Sequence, residues 1–417
     1  MTLRHRSRGG GTTRARSAGW LAASLVLAVA IAALAPGLVQ GESPRTLVVD
    51  GDADGDDHYE TIQAALDVAE DGEIVLVQPG SYVEQLTIRS EVVLRAPRGA
   101  VLGGAQYQPP KRGISVSDSA TIDGFTLTGF STGISVEGGE AVSIRNTLIQ
   151  NGDGEVTYGI TGGPATVRLW NVTVTGHSIG ILGFNRGHIR YSEFRRLTGP
   201  GVNAFGSDAV WLVSNTTFAD GTTGVTAKRS SGDWEITNST FRDVNIGVLA
   251  SNSSGDWTIE ESAFEAVGTS YSDGAVVARE TSGVWRLARS TFRDITGPVV
   301  EATGATRRGD ATRNWWGSGA DPGADCLGNV DCGDPQVSEP SAAAAGAADD
   351  PPPRPTPTPW PTPTPVPIST SSPTTEPTPT PTRSPTPTVT PTPGGSTGGG
   401  TQPPGDTGED AAESPEL

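Results

Sequence analysis

Cysteine is almost absent, with two residues, Cys326 and Cys332, in a chain of 417. That excludes a multi-disulfide scaffold and a cysteine-rich zinc site. The two stand in DCLGNVDC with no histidine nearby, which points to one small-loop disulfide; a metal pair is the competing reading. Histidine is scarce too, four in all, one of them in the basic N-terminal stretch. Little material is left for a multi-histidine copper site or for histidine catalysis, and His177 and His188 read as turn or surface residues. Lysine is limited to Lys111 and Lys228, and the formal net charge is −18. A surface this acidic disfavours DNA, RNA and anionic lipid as partners. Arginine in place of lysine fits a salt-adapted surface and a GC-rich genome equally well. No apolar run of membrane-spanning length follows residue 39.

Glycine and proline are abundant, 55 and 33 residues. Together they mark turn-rich β structure joined to an extended segment. At the N-terminus, Arg4, Arg6, Arg8, Arg14 and Arg16 precede WLAASLVLAVAIAALAPGLVQG. A basic stretch, an apolar core and small residues make residues 1–41 an export signal, with an uncleaved anchor over 18–39 as the alternative. Either reading places the remainder outside the cell or on its surface.

Short segments of one form then recur: VSIRNTLI (142–149), VRLWNVTV (167–174), GHIRYSEF (187–194), WLVSNTTF (211–218), WEITNSTF (234–241), WTIEESAF (257–264) and WRLARSTF (285–292). ATIDGFTL (120–127) is a weaker first copy and DATRNWWG a degenerate last one. The spacing is roughly 23 residues, and most copies are followed by a Gly–aliphatic pair, as at Gly133, Gly159, Gly180, Gly201, Gly224 and Gly247. Apolar residues alternate within each copy, so each is a strand with one face buried. One such unit cannot bury a core alone, but stacked units can. The column Ile122, Ile144, Leu169, Ile189, Val213, Ile236, Ile259, Leu287 is aliphatic throughout, as an inward stack requires. The predicted fold class is all-β: a single-stranded parallel β-solenoid of about ten coils. Ile62, Ala65, Leu66 and Ala69 space an amphipathic helix ended by Gly72, which would cap the exposed end of the solenoid.

TIQAALDVAEDGEIVLVQPGSYVEQLTI resembles the opening of the pectin-lyase-like right-handed parallel β-helices. The N-S-T-F copies resemble the parallel β-helix repeat of NosD-like exported proteins, and NWWGSGADPG resembles the segment that often ends such domains. The resemblance spans about residues 44–335 and implies a right-handed β-helix. It implies no one activity, because the fold hosts lyases, hydrolases, esterases and proteins without known chemistry. The domain plan is an export signal (1–41), a β-helix domain (42–340) and a disordered Pro/Thr/Gly-rich tail (341–417) of polyproline II character.

Candidate sites follow from the columns. Asp220, Asp243 and Asp294 stand two residues past Phe on their coils. Adjacent acids can divide acid and nucleophile roles, or each can simply close a turn. The signatures of polygalacturonase-like, pectin-methylesterase-like and alginate-epimerase-like enzymes are missing. Trp211, Trp234, Trp257 and Trp285 form a column that is either core packing or a platform for a sugar chain. Two coils carry insertions, which makes Tyr158, Tyr271 and Asp273 secondary glycan contacts. Asn171, Asn215, Asn238 and Asn252 begin N-x-S/T sequons. The first three share a column with Asn146 and Asn314, where stacked amides bond one another, so Asn252 is the glycosylation candidate. Asp50, Asp52, Asp54 and Asp56 lie in VVDGDADGDDHYETIQAAL, half of a calcium loop whose twelfth position is Thr61. The other reading there is an acidic turn in which Asp57 or Thr61 caps the helix. No other cofactor is indicated. The functional expectation is an exported monomer that binds a polysaccharide or cell-envelope glycan. A polysaccharide lyase or hydrolase and a purely structural adhesin or spacer are the alternatives. Membrane contact, if any, runs through an uncleaved N-terminal segment.

Overall fold

The computed structural model describes residues 43–51, 56–103, 112–150, 156–206, 208, 210–268, 274–317 and 325–339. All belong to one compact unit, Met1–Thr362. Residues 1–42 and 340–417, which include the expected export signal and the Pro/Thr/Gly-rich tail, lie outside the described residues.

Every strand pairing in this unit is parallel, and each coil contributes strands to three stacked sheets. The first sheet runs from Thr46–Val49 through Ala141–Arg145, Thr166–Trp170, Arg186–Arg190, Val210–Ser214 and Trp234–Thr237 to Trp285–Ala288 and beyond. The second includes Leu148–Gln150, Thr173–Thr175, Glu193–Arg195 and Thr291–Arg293, and the third Thr132–Val136, Tyr158–Thr161, Ile179–Leu182 and Val300–Ala302. This is the expected solenoid of about ten coils.

Like residues lie over like. Ile122 pairs with Ile144 and Ile144 with Leu169, and the whole aliphatic column is buried. In the second sheet Val174 pairs with Phe194, and from there the rings stack: Phe194–Phe218, Phe218–Phe241, Phe241–Phe264, Phe264–Phe292 and finally Phe292–Trp316, with centroids 4.7–5.2 Å apart. The rings follow the strand spacing of about 4.8 Å, and each such pair adds about 1 kcal/mol beyond its buried area. This stack explains the Gly–aliphatic motif. A Cβ on Gly224 would stand 2.5 Å from the Phe241 ring, and one on Gly180 2.7 Å from Phe194.

Polar ladders close the turn between the first and second sheets. Asn146, Asn171, Asn215 and Asn238 all have positive φ, and amides on adjacent coils bond one another. Asn146 donates to Asp123 at 2.8 Å, Asn171 to Asn146 at 2.9 Å, and Asn238 to Asn215. One residue further on runs a ladder of buried hydroxyls. Ser239 donates to the Thr237 carbonyl at 2.9 Å and accepts the Thr216 N–H of the neighbouring coil at 3.3 Å; Ser262 and Ser290 repeat the pattern. Asn314 corrects the sequence reading. It belongs to the hydroxyl ladder, because Arg313 takes the positive-φ position. Its side chain accepts the Ser290 N–H at 2.9 Å and donates to the carbonyls of Leu287 and Ala311, both at 2.8 Å.

The capping helix spans Ile62–Val68 and buries Ile62, Ala65 and Leu66. Thr61 is its N-cap, accepting the Ala64 N–H at 3.2 Å. Asp57 instead pairs with Arg45 at 2.7 Å. A second, distant cap comes from Glu84, whose carboxylate accepts the N–H groups of Ile62 (3.1 Å) and Gln63 (3.0 Å). Cys326 and Cys332 form the expected disulfide.

Candidate functional site on the first sheet

The tryptophan column is core. Trp211, Trp234, Trp257 and Trp285 are 0%, 5%, 4% and 1% exposed, with Trp211 stacked on Trp234 and Trp257 on Trp285. The coils at either end of the column carry glycine: a Cβ on Gly187 would stand 2.0 Å from Trp211, and one on Gly309 1.7 Å from Trp285. Strand alternation turns these positions inward, so they offer no stacking platform to a glycan.

Asp220, Asp243 and Asp294 all have φ near +50° and are exposed, Asp220 within Thr217–Lys228, Asp243 within Thr240–Ser251 and Asp294 just after Thr291–Arg293, with Ala266 in the same conformation on the coil between. A short polar side chain tolerates this left-handed turn position, and that is the role the geometry gives them. Asp243 lies 3.4 Å from Arg242, whereas Arg293 pairs with Glu265 at 3.1 Å and with Glu339 instead of Asp294. Tyr158 is half-buried on the third sheet, between Thr132 and Ile179. Tyr271, Asp273, Asp52 and Asp54 lie outside the described residues. Asp50 pairs with His58 at 2.7 Å and Asp56 sits in a turn. Asn252 is exposed.

A different cluster emerges on the outward face of the first sheet. A cavity of about 560 Å³ is lined by Asp123, Arg145, Arg168, Trp170, His188 and Arg190, among others. Register places them in two rows. Arg145 pairs with Trp170 and Trp170 with Arg190; beside them Ser143 pairs with Arg168 and Arg168 with His188. Arg186 lies at the edge of the same strands, next to Thr166. Tyr191 occupies the Asn-ladder position on its coil at φ 53°, and its ring meets Trp170 edge to face at 4.5 Å.

The charges on this face are unusual for so acidic a chain. Among the described residues Arg145, Arg168, Arg186 and Arg190 have no carboxylate partner. Elsewhere pairing is common: Arg279 with Glu301 at 2.6 Å, Arg289 with Glu261 at 3.0 Å, Arg286 with Asp310 at 3.6 Å. The one carboxylate in the cavity, Asp123, is held by the Asn146 amide at 2.8 Å and by Arg95 at 3.4 Å. Partial burial, then Arg168, Arg190 and Arg186, lower the pKa of His188, so its ring is neutral near pH 7. Acidic residues border the cluster on both sides. Glu91, Asp118 and Glu140 line the cavity toward the N-terminus, and Asp233, Glu235 and Asp256 the one toward the C-terminus.

Sequence reasoning missed this cluster, although a signal exists. In VSIRN, VRLWN and GHIRY the outward positions carry Arg145; Arg168 and Trp170; and His188 and Arg190. In WEITN and WTIEE those positions turn polar or acidic, and in WRLAR the outward arginine, Arg286, lies 3.6 Å from both Glu260 and Asp310.

Fold and face together define a right-handed parallel β-helix protein with a cationic, aromatic patch on one sheet. Residues 112–264 match the family model described as right handed beta helix region. No curated protein sequence matches it. Among solved structures it is similar to a Yersinia enterocolitica family 28 exopolygalacturonase, at 12% identity and a TM-score of 0.41, over 70% of this chain and 78% of that one.

Proposed function

We propose that this is an exported β-helix protein that retains an anionic polysaccharide on the outward face of its first sheet. The observation that supports this is the set Arg145, Arg168 and Arg190 beside the Trp170–Tyr191 pair, with Arg186 at the far end of the same strand, none with a carboxylate partner among the described residues. Guanidinium groups pair with carboxylate or sulfate in two-point fashion, and an indole face takes the apolar side of a sugar ring. The acidic borders limit how many anionic residues the face can hold. Retention without turnover fits the carboxylate inventory. Hydrolysis of a glycoside uses two carboxyl groups flanking one bond, and the cavity offers Asp123 alone.

His188 supports a second reading, a lyase. A neutral imidazole can take the proton α to a uronate carboxylate while Arg168 and Arg190 neutralise that carboxylate; the glycosidic C–O bond then breaks, the leaving oxygen takes the proton from the imidazolium, and a double bond is left in the ring. Incubation with an acidic polysaccharide separates the readings. Binding with the polymer intact supports retention. An unsaturated product that disappears in His188→Ala supports the lyase. No binding to any anionic polymer removes both.

A further inference from the structure

The outward face of the first sheet carries a second pattern, centred on Val210–Ser214. Its outward residues are Val210, 37% exposed, with Leu212 and Ser214. One coil toward the N-terminus lies Arg186–Arg190, with Arg186, His188 and Arg190 outward, and the next coil presents Arg168. One coil toward the C-terminus present Asp233 and Glu235, and the next presents Asp256. Charge is therefore antisymmetric about an apolar centre: basic at one and two coils on one side, acidic at one and two coils on the other. Glu235 is exposed and has no cationic partner among the described residues, like the arginines opposite it.

We infer that this face docks a second copy of the chain, related by a twofold axis that runs along the Val210–Ser214 strand. That operation lays each coil on one side over its counterpart on the other. Arg186 then faces Asp233 of the second copy. Glu235 of the second copy lies over His188, between Arg186 and Arg190 and beside Arg168. Val210 and Leu212 meet their own symmetry mates. Every contact away from the axis occurs twice, as a self-complementary interface requires. Five coils about 4.8 Å apart, with outward positions about 7 Å apart along each strand, give a footprint of about 400 Å² per copy. A standard stable interface has about 800 Å² per partner, so the dimer is weak, salt-sensitive and favoured by high local concentration. An anionic polymer competes with it, because both need the same arginines.

Sedimentation equilibrium of the full chain tests this. At low ionic strength the average mass should climb with concentration toward twice that of the monomer, and return to the monomer value on adding salt. Glu235→Arg places cation against cation and should weaken association at least ~10-fold. Arg190→Glu should do the same, and the two changes in one chain should recover much of the loss, with circular dichroism unchanged throughout. A monomer at every concentration in low salt, or a dimer indifferent to Glu235→Arg, overturns the inference. Glu235→Arg also separates this claim from the glycan reading, since that variant should lose dimerisation yet keep retention of a polyanion. If the wild type is monomeric but binds the polyanion, only the dimer fails.

Discussion

Trp170 and Tyr191 meet edge to face with ring centroids 4.5 Å apart, on adjacent coils of the solenoid. Tyr191 holds a backbone conformation that the neighbouring coils assign to asparagine. A bulky residue at positive φ is costly, and such outliers gather at functional sites. Here the substitution interrupts the Asn ladder between Asn171 and Asn215 and puts an aromatic ring beside unpaired arginines. Tyr191→Asn is expected to restore the ladder and stabilise the fold slightly, while weakening polyanion retention several-fold. Melting temperature and affinity chromatography, measured on the same sample, check both directions.

Trp234 and Trp170 should behave oppositely. Trp234 is buried in the stacked column, so Trp234→Ala is expected to cost about 3–5 kcal/mol of stability. Its retention on a polyanion should be unchanged wherever the variant remains folded. Trp170→Ala should leave the denaturation midpoint within about 1 kcal/mol of wild type and reduce retention.

The hydroxyl ladder gives a test by deletion. Ser239→Ala removes the acceptor of the Thr216 N–H inside the solenoid. An orphaned buried donor costs about 1–3 kcal/mol, so a chemical denaturation curve should shift by that amount. Ser251→Ala, on the surface, is the control and should shift it little.

His177 sets an acid limit. It is 3% exposed with neither ring nitrogen bonded, and burial lowers its pKa from 6.5 to about 4. The folded chain therefore prefers the neutral ring. The stability this confers is complete above pH 6.5 and is lost as pH falls toward 4, a difference of about 3 kcal/mol. His177→Leu should flatten that part of the pH–stability curve, as read from melting temperatures.

Much of the fold was legible in the sequence because the solenoid repeats its inward residues. The column from Ile122 to Leu287 and the one from Leu127 to Phe292 fall into register as read, since strand pairing in a stacked coil admits little else. Gly224 and its counterparts were visible as a motif but unexplained until the Phe rings were seen lying over them. Asn314 stands one residue beyond the Asn column, because the last copy stacks as residues 309–316, with Trp315 opposite Thr291, and not in the 310–317 frame that its Asn suggests. The cationic patch was least legible. Outward positions are free to vary, so a repeat alignment treats Arg145, Arg168 and Arg190 as noise, and net charge hides a local excess of the opposite sign. The Trp column left core packing and a sugar platform both open in the sequence, and strand alternation, which turns the rings inward, decides for core packing.

The proposed function rests on the arginines of the first sheet holding a polyanion. Isothermal titration calorimetry tests it most directly, with an acidic polysaccharide, its neutral counterpart and the variant Arg168→Ala/Arg190→Ala. Binding is expected to the acidic polymer alone, weakened as salt rises and reduced at least ~30-fold in the double variant, which corresponds to two charge-assisted contacts of about 1 kcal/mol or more each. Equal affinity for both polymers, or a double variant that binds like the wild type, would contradict it.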